Sequence, residues 1–275
     1  MYFAYKEIKA NKMNIVGKHD DVAVGVLGDI HGHLYVIENK IKGCDLTNVI
    51  IFQVGDFGVG FNYNDPILPG KEKKRLKMLN TFLKKRNIFL YVISGNHDNP
   101  IFFDGNHNFS NLIFMQHYDV VEINGHKFLG IGGATSVDRK PNIHFKDYRG
   151  KSHPGRREGI DWWPNEKIIY DEEKLNEMFE ISVVLTHNCP DFVYPPMWHG
   201  TSIIKWVEGD PDLKEELPTE RALLTKIYNK LNESNPLFWW VYAHYHESHL
   251  EFYNQTKFKL LDINEFCEIN INSQE

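Results

Sequence analysis

At 275 residues, 42% hydrophobic and 25% charged, the chain has the makings of an ordinary globular protein with a sizeable core, and disordered or fibrous classes are excluded. A formal net charge of −6 removes any global electrostatic case for nucleic-acid binding and leaves only local basic patches. Three scattered cysteines, Cys44, Cys189 and Cys267, form no Cys-x-x-Cys pair and argue against a disulfide framework, and no apolar run approaches the ~20 residues of a bilayer span.

Residues 1–21 are polar, lack the apolar stretch of a signal peptide, and predict a lead-in or an edge strand on a cytoplasmic chain. Residues 22–27 and 49–54 are continuous apolar runs, read as strands buried on both faces, and each ends in Gly-Asp. Between them, residues 34–43 predict a short helix with Leu34, Ile37 and Ile41 on one face. A loop over 61–70 leads to a charged helix, 71–86, whose apolar face is Leu76, Leu79 and Leu83; the strand 88–93 follows. This alternation predicts an α/β architecture. Runs at 112–115, 120–123 and 128–131 then predict an antiparallel section, with Asn124-Gly125 as its hairpin turn. Residues 134–170 read as an irregular insert. It carries Arg139, Lys140, Lys146, Arg149, Lys151, Arg156 and Arg157 beside Trp162-Trp163. A helix over 171–179, a strand over 181–185, a second irregular stretch over 188–217 with four prolines, and a helix over 218–231 starting at Pro218 complete the middle. Strands at 237–242, 249–254 and 257–262 end the pattern, which is read as a single domain over 1–275.

Five polar stretches interrupt these elements, each at the C-terminal end of a predicted strand. They are Gly28-Asp29-Ile30-His31-Gly32-His33, Gly55-Asp56-Phe57-Gly58, Gly95-Asn96-His97-Asp98, Thr186-His187-Asn188-Cys189-Pro190 and Ala243-His244-Tyr245-His246. Open α/β sheets place ligand sites at that edge. Asp29, His31, Asp56, Asn96, His187, His244 and His246 together offer imidazole, carboxylate and amide donors with no thiolate. Such a set suits Mn, Fe, Zn, Co or Ni, with Mn favoured. Seven ligands are too many for one tetrahedral ion, but they suffice for two ions about 3.5–4 Å apart that share a carboxylate. Two such ions would bind phosphate oxygens and lower the pKa of a bridging water, so that hydroxide is the nucleophile. His97 is then free to protonate the leaving group or stabilise its charge, and Asp98 to fix the His97 tautomer.

The ordered pattern Asp-x-His, Gly-Asp, Gly-Asn-His-Asp, a lone His and His-x-His resembles that of the calcineurin-like metallophosphoesterases, over residues 22 to about 262. The resemblance implies a four-layer αββα sandwich of two mixed sheets flanked by helices. It also implies a ligand split: Asp29, His31, Asp56 and His246 for one ion; Asp56, Asn96, His187 and His244 for the other. Where the protein Ser/Thr phosphatase branch continues with Asp-Arg, this chain has Phe57-Gly58-Val59-Gly60, which disfavours that branch and a phosphoprotein substrate. The expected activity is hydrolysis of a small phosphate ester or nucleotide. A nuclease acting on short nucleic acid, a cyclic-nucleotide phosphodiesterase and a non-catalytic scaffold are the rivals. Arg139, Arg156 and His33 are the candidate substrate contacts, because arginine forks suit phosphate oxygens. Cys189 is read as a packed small hydrophobe despite lying near His187.

Overall fold

The computed structural model describes residues 13–61, 69–146, 149–234 and 236–270. Its strands are β1 (Ile15–His19), β2 (Ala23–Leu27), β3 (Val49–Val54), β4 (Phe89–Ile93), β5 (Leu112–Phe114), β6 (Asp119–Ile123), β7 (His126–Ile131), β8 (Asn142–Lys146), β9 (Ser152–His153), β10 (Ile181–Thr186), β11 (Trp239–Tyr242), β12 (His249–Tyr253), β13 (Thr256–Leu260) and β14 (Phe266–Glu268). Its helices are α1 (Tyr35–Gly43), α2 (Pro69–Lys85), α3 (Glu172–Glu177), α4 (Thr201–Gly209) and α5 (Leu213–Ser234).

The unbroken apolar runs have the cause expected of them. Strands covered on both faces need no polar side, and every residue of β3 and β10 is buried. Five strands form one sheet in the order β14-β2-β3-β4-β5, and seven form another in the order β1-β6-β7-β10-β11-β13-β12. Val26, Phe52, Tyr91 and Ile93 of the first sheet meet Val121, Phe128, Val183 and Val241 of the second in a shared core. The opposite face of the first sheet, including Ile51 and Leu90, packs on Ile37, Ile41, Leu76, Leu79 and Leu83 of α1 and α2. That of the second, including Val184 and Trp240, packs on Leu175 of α3 and on Leu224, Ile227 and Tyr228 of α5. The layers therefore run helix, sheet, sheet, helix, as the resemblance implied. The Asn124-Gly125 hairpin is present, with φ of 51° and 80° at its two residues and Ile123 paired to His126.

Several expectations need correction. One does not: the lead-in contains the expected edge strand, β1, although residues 1–12 and most of the 61–70 loop lie outside the described residues. The insert is not wholly irregular: β8 and β9 pair into a two-stranded sheet of their own. The 188–217 stretch holds α4, whose Trp206 stacks on Phe145 at 4.3 Å and whose Lys205 carbonyl accepts from Asn142 at 2.7 Å. Helix α5 begins at Leu213 and carries Pro218 inside it. Contacts with the rest of the chain override the proline. Arg139 and Lys167 hold Glu216 of the first turns, while Thr135 and Asn188 hold Glu220. Strand β14 is unforeseen; it pairs antiparallel with β2.

Candidate metal centre

Strands β2, β3 and β4 of one sheet, and β10 and β11 of the other, all point their C-terminal ends at one edge of the sandwich. Asp29 and His31, Asp56, Asn96, His187, and His244 with His246 follow those ends in turn. The turns that carry them are strained. His31, Asp56, His244 and His246 adopt φ of 44°, 53°, 74° and 54°, in a left-handed region that costs side-chain-bearing residues about 1–3 kcal/mol each. Two glycines admit the close approach this requires. A Cβ on Gly55, at φ 91°, would land on the His187 ring, and one on Gly95 would meet the amide and carboxylate of Asp56. The buried Gln53 side chain donates to the carbonyls of Gly28 and Gly55, tying together the turns after β2 and β3. Its signal in the sequence was a lone amide inside an apolar run, which the strand reading passed over.

Two clusters of donor atoms result. In the first, ligand atoms of Asp29, His31, Asp56 and His246 all lie within 4.8 Å of one another, with His246 Nε2 at 3.1 Å from both Asp29 Oδ2 and His31 Nε2. In the second, His187 Nε2 lies 3.2 Å from each of Asp56 Oδ1, Asn96 Oδ1 and His244 Nδ1. Asp56 serves both clusters through its two oxygens, Oδ2 lying 3.8 Å from His31 Nδ1.

The spacing and the tautomers test whether these residues suit a cation. Ligands about 2.1 Å from one ion stand roughly 3.0–3.4 Å apart, depending on coordination angle, and the second cluster matches that span. His187 Nδ1 lies 2.9 Å from the Val54 carbonyl, which can only accept. The Nδ1 therefore carries a proton and Nε2 is the nitrogen that faces the cluster, the usual orientation of an imidazole ligand. Asn96 Nδ2 donates to Ser136 at 3.4 Å, so Oδ1 faces inward too. Asp29 Oδ2 is buried and receives no well-formed hydrogen bond from the described residues. Acceptors thus crowd together where positive charge, on a cation or on the His187 ring, is needed to hold them. The titration directions agree. Burial works against the His187 cation, yet Asp56 and Asp29 outweigh it and push the ring up to about 10. Burial also opposes the Asp56 carboxylate, and His187, His97 and His31 overcome it to hold the group well below the usual range. His244, buried and beside His187, is pushed well down and stays neutral.

The Gly95-Asp98 stretch departs from expectation. Asp98 does not aim His97. Its carboxylate accepts from the amides of Phe57 at 3.2 Å, Gly58 at 2.7 Å, Val59 at 3.0 Å and Gly95 at 2.8 Å, using both oxygens twice. Burial and Asp56 press the group up to about 7 while the amides pull the other way. Its work is to lock the turns after β3 and β4 to each other. The partner of His97 is Arg156, whose Nη2 sits 2.6 Å from His97 Nε2. A guanidinium has no acceptor, so Nε2 must accept and holds no proton in this pairing. Burial, reinforced by Arg156, lowers His97 to about 4. Arg156 also donates to the Asn96 carbonyl at 3.1 Å and Ser136 Oγ at 3.2 Å, and pairs with Asp138 at 2.6 Å. Phe61 stacks on the other side of the picture, its ring 5.2 Å and 17° from that of His97. Nothing local in the sequence marks Phe61 or Ser136.

Arg139, by contrast, is not brought to the site. It is buried against Asp210 and Glu216, both at 2.6 Å. A substrate role there is overturned, because both carboxylates already occupy its fork. Arg139→Ala is expected to cost on the order of 2–3 kcal/mol in urea denaturation, by removing the buried guanidinium from Asp210 and Glu216 and leaving them, among the described residues, only Lys140 and Lys167, while leaving turnover within about twofold. His33 is exposed, its ring 5.6 Å from that of Tyr35. Cys189 is buried and its thiol is pushed up to about 12, as a packed hydrophobe should be.

Glu166, which the sequence offered only as part of the insert, accepts the Ser136 amide at 2.7 Å. Burial raises it from 4.5 to about 7. The shift is upward, so the folded protein holds this proton more tightly than the unfolded chain. Stability is complete below about 4.5 and declines as pH rises through about 7. Glu166→Gln is therefore expected to be more stable than the parent at pH 8, by on the order of 2–4 kcal/mol, and indistinguishable at pH 4. Denaturant melts at the two pH values check this.

Comparison with known proteins places these features in context. A profile of the calcineurin-like phosphoesterases matches residues 22–248. No curated protein gives a significant match. Among solved structures, a dimetal phosphatase from Danio rerio is similar at 10% identity and TM-score 0.45, with 88% of each chain covered. A putative 5′-nucleotidase from Staphylococcus aureus is similar at 12% identity and TM-score 0.44, covering 88% of this chain and 49% of that one. A protein serine/threonine phosphatase from Saccharomyces cerevisiae is similar at 14% identity and TM-score 0.37, covering 91% and 72%. Likenesses of this size bear on neither substrate nor mechanism.

Proposed function

The chain belongs to the calcineurin-like phosphoesterase family, and we propose on that footing that it hydrolyses a small phosphate ester with two divalent ions, Mn favoured. Asp29, His31, Asp56 and His246 would hold one; Asp56, Asn96, His187 and His244 the other. The observation that carries this reading is the convergence of Asp56 Oδ1, Asn96 Oδ1 and His244 Nδ1 on His187 Nε2, each at 3.2 Å. When bound, such ions supply Lewis acidity at the phosphoryl oxygens and a water acidic enough to attack near neutral pH.

The chain's own residues do the rest. Arg156 offers N–H groups to phosphate oxygens from the side of the insert. A phosphate oxygen competing for that fork frees His97 Nε2 to meet the leaving oxygen, so the two residues act as a pair. Asp98 and Gln53 keep the three turns of the first sheet in register.

The insert does not favour a nuclease. Arg139 and Lys140 are paired to Asp210, Asp212 and Glu216, and Arg157 to Asp161, so these cations are spent on the fold and form no track for a phosphate backbone. Among the described residues no helix is long and apolar enough to cross a membrane, and all three cysteines are unpaired, which suits the reducing, cytoplasmic setting that the proposal assumes.

The test is hydrolysis of a phosphate monoester by Mn-loaded protein, beside a melt with and without chelator. We expect turnover that Asn96→Ala lowers about a hundredfold or more, and a chelator-induced fall in melting temperature in the parent that is reduced in the variant. Equal activity and equal chelator response in both proteins would sink the reading.

A further inference from the structure

A cavity of about 340 Å³ opens directly beside the candidate metal centre, with His244 and His246 in its wall. That volume lies within the range of small-ligand sites. Its other walls include Met197, Trp198, Trp206 and Glu247. Trp198 is unusual on two independent counts. Its side chain is 37% exposed, and its φ is 65°, a left-handed conformation that is an outlier for so bulky a residue. Strain of this kind persists where the surroundings impose it, and it clusters at ligand sites. Trp206 is braced by its stack on Phe145.

The polar edge of the cavity is acidic. The Glu247 carboxylate is held by Tyr194 Oη at 2.5 Å and lies 3.1 Å from His199 Nε2. Arg221 also lines the cavity, but its guanidinium donates to the carbonyls of Pro190, Val193 and Pro195 and supplies no cation to a ligand. The Glu247 carboxylate makes that edge a poor seat for a second phosphate. An alkyl chain would strip water from the Glu247 charge and add no donor to its contacts with Tyr194 and His199, which is costly. A flat heteroaromatic ring with N–H groups on its edge satisfies both walls.

We propose that this cavity is a nucleoside subsite: the base stacks on Trp198, its N–H edge faces Glu247, and the ester phosphate reaches the centre at His244 and His246. The inference rests on the phosphoesterase reading and names its substrate class, a nucleoside monophosphate. Guanine, which presents adjacent ring N–H and amino donors, is the sharpest probe.

The experiment compares the parent with Trp198→Ala and Trp198→Phe on guanosine 5′-monophosphate and on glycerol phosphate, and adds calorimetric titration of free guanosine into metal-free protein. With the nucleotide, Trp198→Ala is expected to raise KM about tenfold with kcat within about twofold, while Trp198→Phe, which retains a stacking face, stays within about threefold of the parent. Neither change should alter glycerol phosphate turnover, and guanosine should bind the parent but not Trp198→Ala. If Trp198→Ala affects both esters equally or neither, or if glycerol phosphate is the better substrate, the subsite is overturned while the hydrolase reading stands. If no ester is hydrolysed yet guanosine binds in a Trp198-dependent way, the hydrolase reading fails and the nucleoside site survives it.

Discussion

Asp56→Asn is expected to lower kcat/KM for phosphate esters by on the order of a thousandfold or more, and to cut the manganese bound per chain from two equivalents to one or none. The reason lies in its two oxygens. Oδ1 stands in the His187 cluster and also accepts the His97 amide at 2.8 Å, while Oδ2 faces His31. An amide in its place removes the charge that both clusters share, and turns N–H donors toward ring nitrogens that need a cation. Circular dichroism should show the variant folded, since no apolar contact is lost. Metal content by plasma mass spectrometry decides the matter: a variant that kept two equivalents and a tenth of the activity would contradict the bridging role.

Arg156→Ala is expected to cost about a hundredfold in kcat/KM, with metal stoichiometry unchanged. The guanidinium joins Asp138, Ser136, the Asn96 carbonyl and His97 at once. Only a planar fork can do that, so Arg156→Lys should recover little of the loss. A Lys variant with full activity would show that the charge alone is needed. The contrast with Arg139 is instructive, because the two arginines lie 17 positions apart in one basic stretch and are expected to fail in different assays. Losing one harms the reaction; losing the other harms the fold.

That contrast also shows what the sequence could and could not disclose. The candidate ligand residues could be picked out because local chain geometry announces them: apolar run, Gly, then an acid, amide or imidazole. The four layers were legible through the resemblance those stretches carry. The insert was not, since Arg139 and Arg156 have the same composition around them and only the β8–β9 hairpin, packed on α4, decides which one faces His97. Helix α4 was hidden by the four prolines of its stretch, all of which fall outside Thr201–Gly209. Strand β14 is three residues long, too short to show a period. The role of Asp98 was misread because a neighbour in sequence was assumed to be a partner in space. Its four amide contacts instead lie on the turns that follow two different strands.

The construction of the centre across two sheets has a consequence for synthesis. The chain leaves the ribosome with Asp29, His31, Asp56 and Asn96 first, and all remaining imidazole donors trail by more than ninety positions: the His187 contact to the Val54 carbonyl alone closes a separation of 133 residues. A cation arriving early would meet half a cage. Final registration waits even longer, since Gly28 and Asp29 are tied at 3.0 Å and 2.9 Å to the backbone of Glu265 and Asn264, just before β14. Metal capture is therefore expected to come last, as the seal on a finished sandwich, and a truncated or stalled chain to hold an ion more weakly than the complete one.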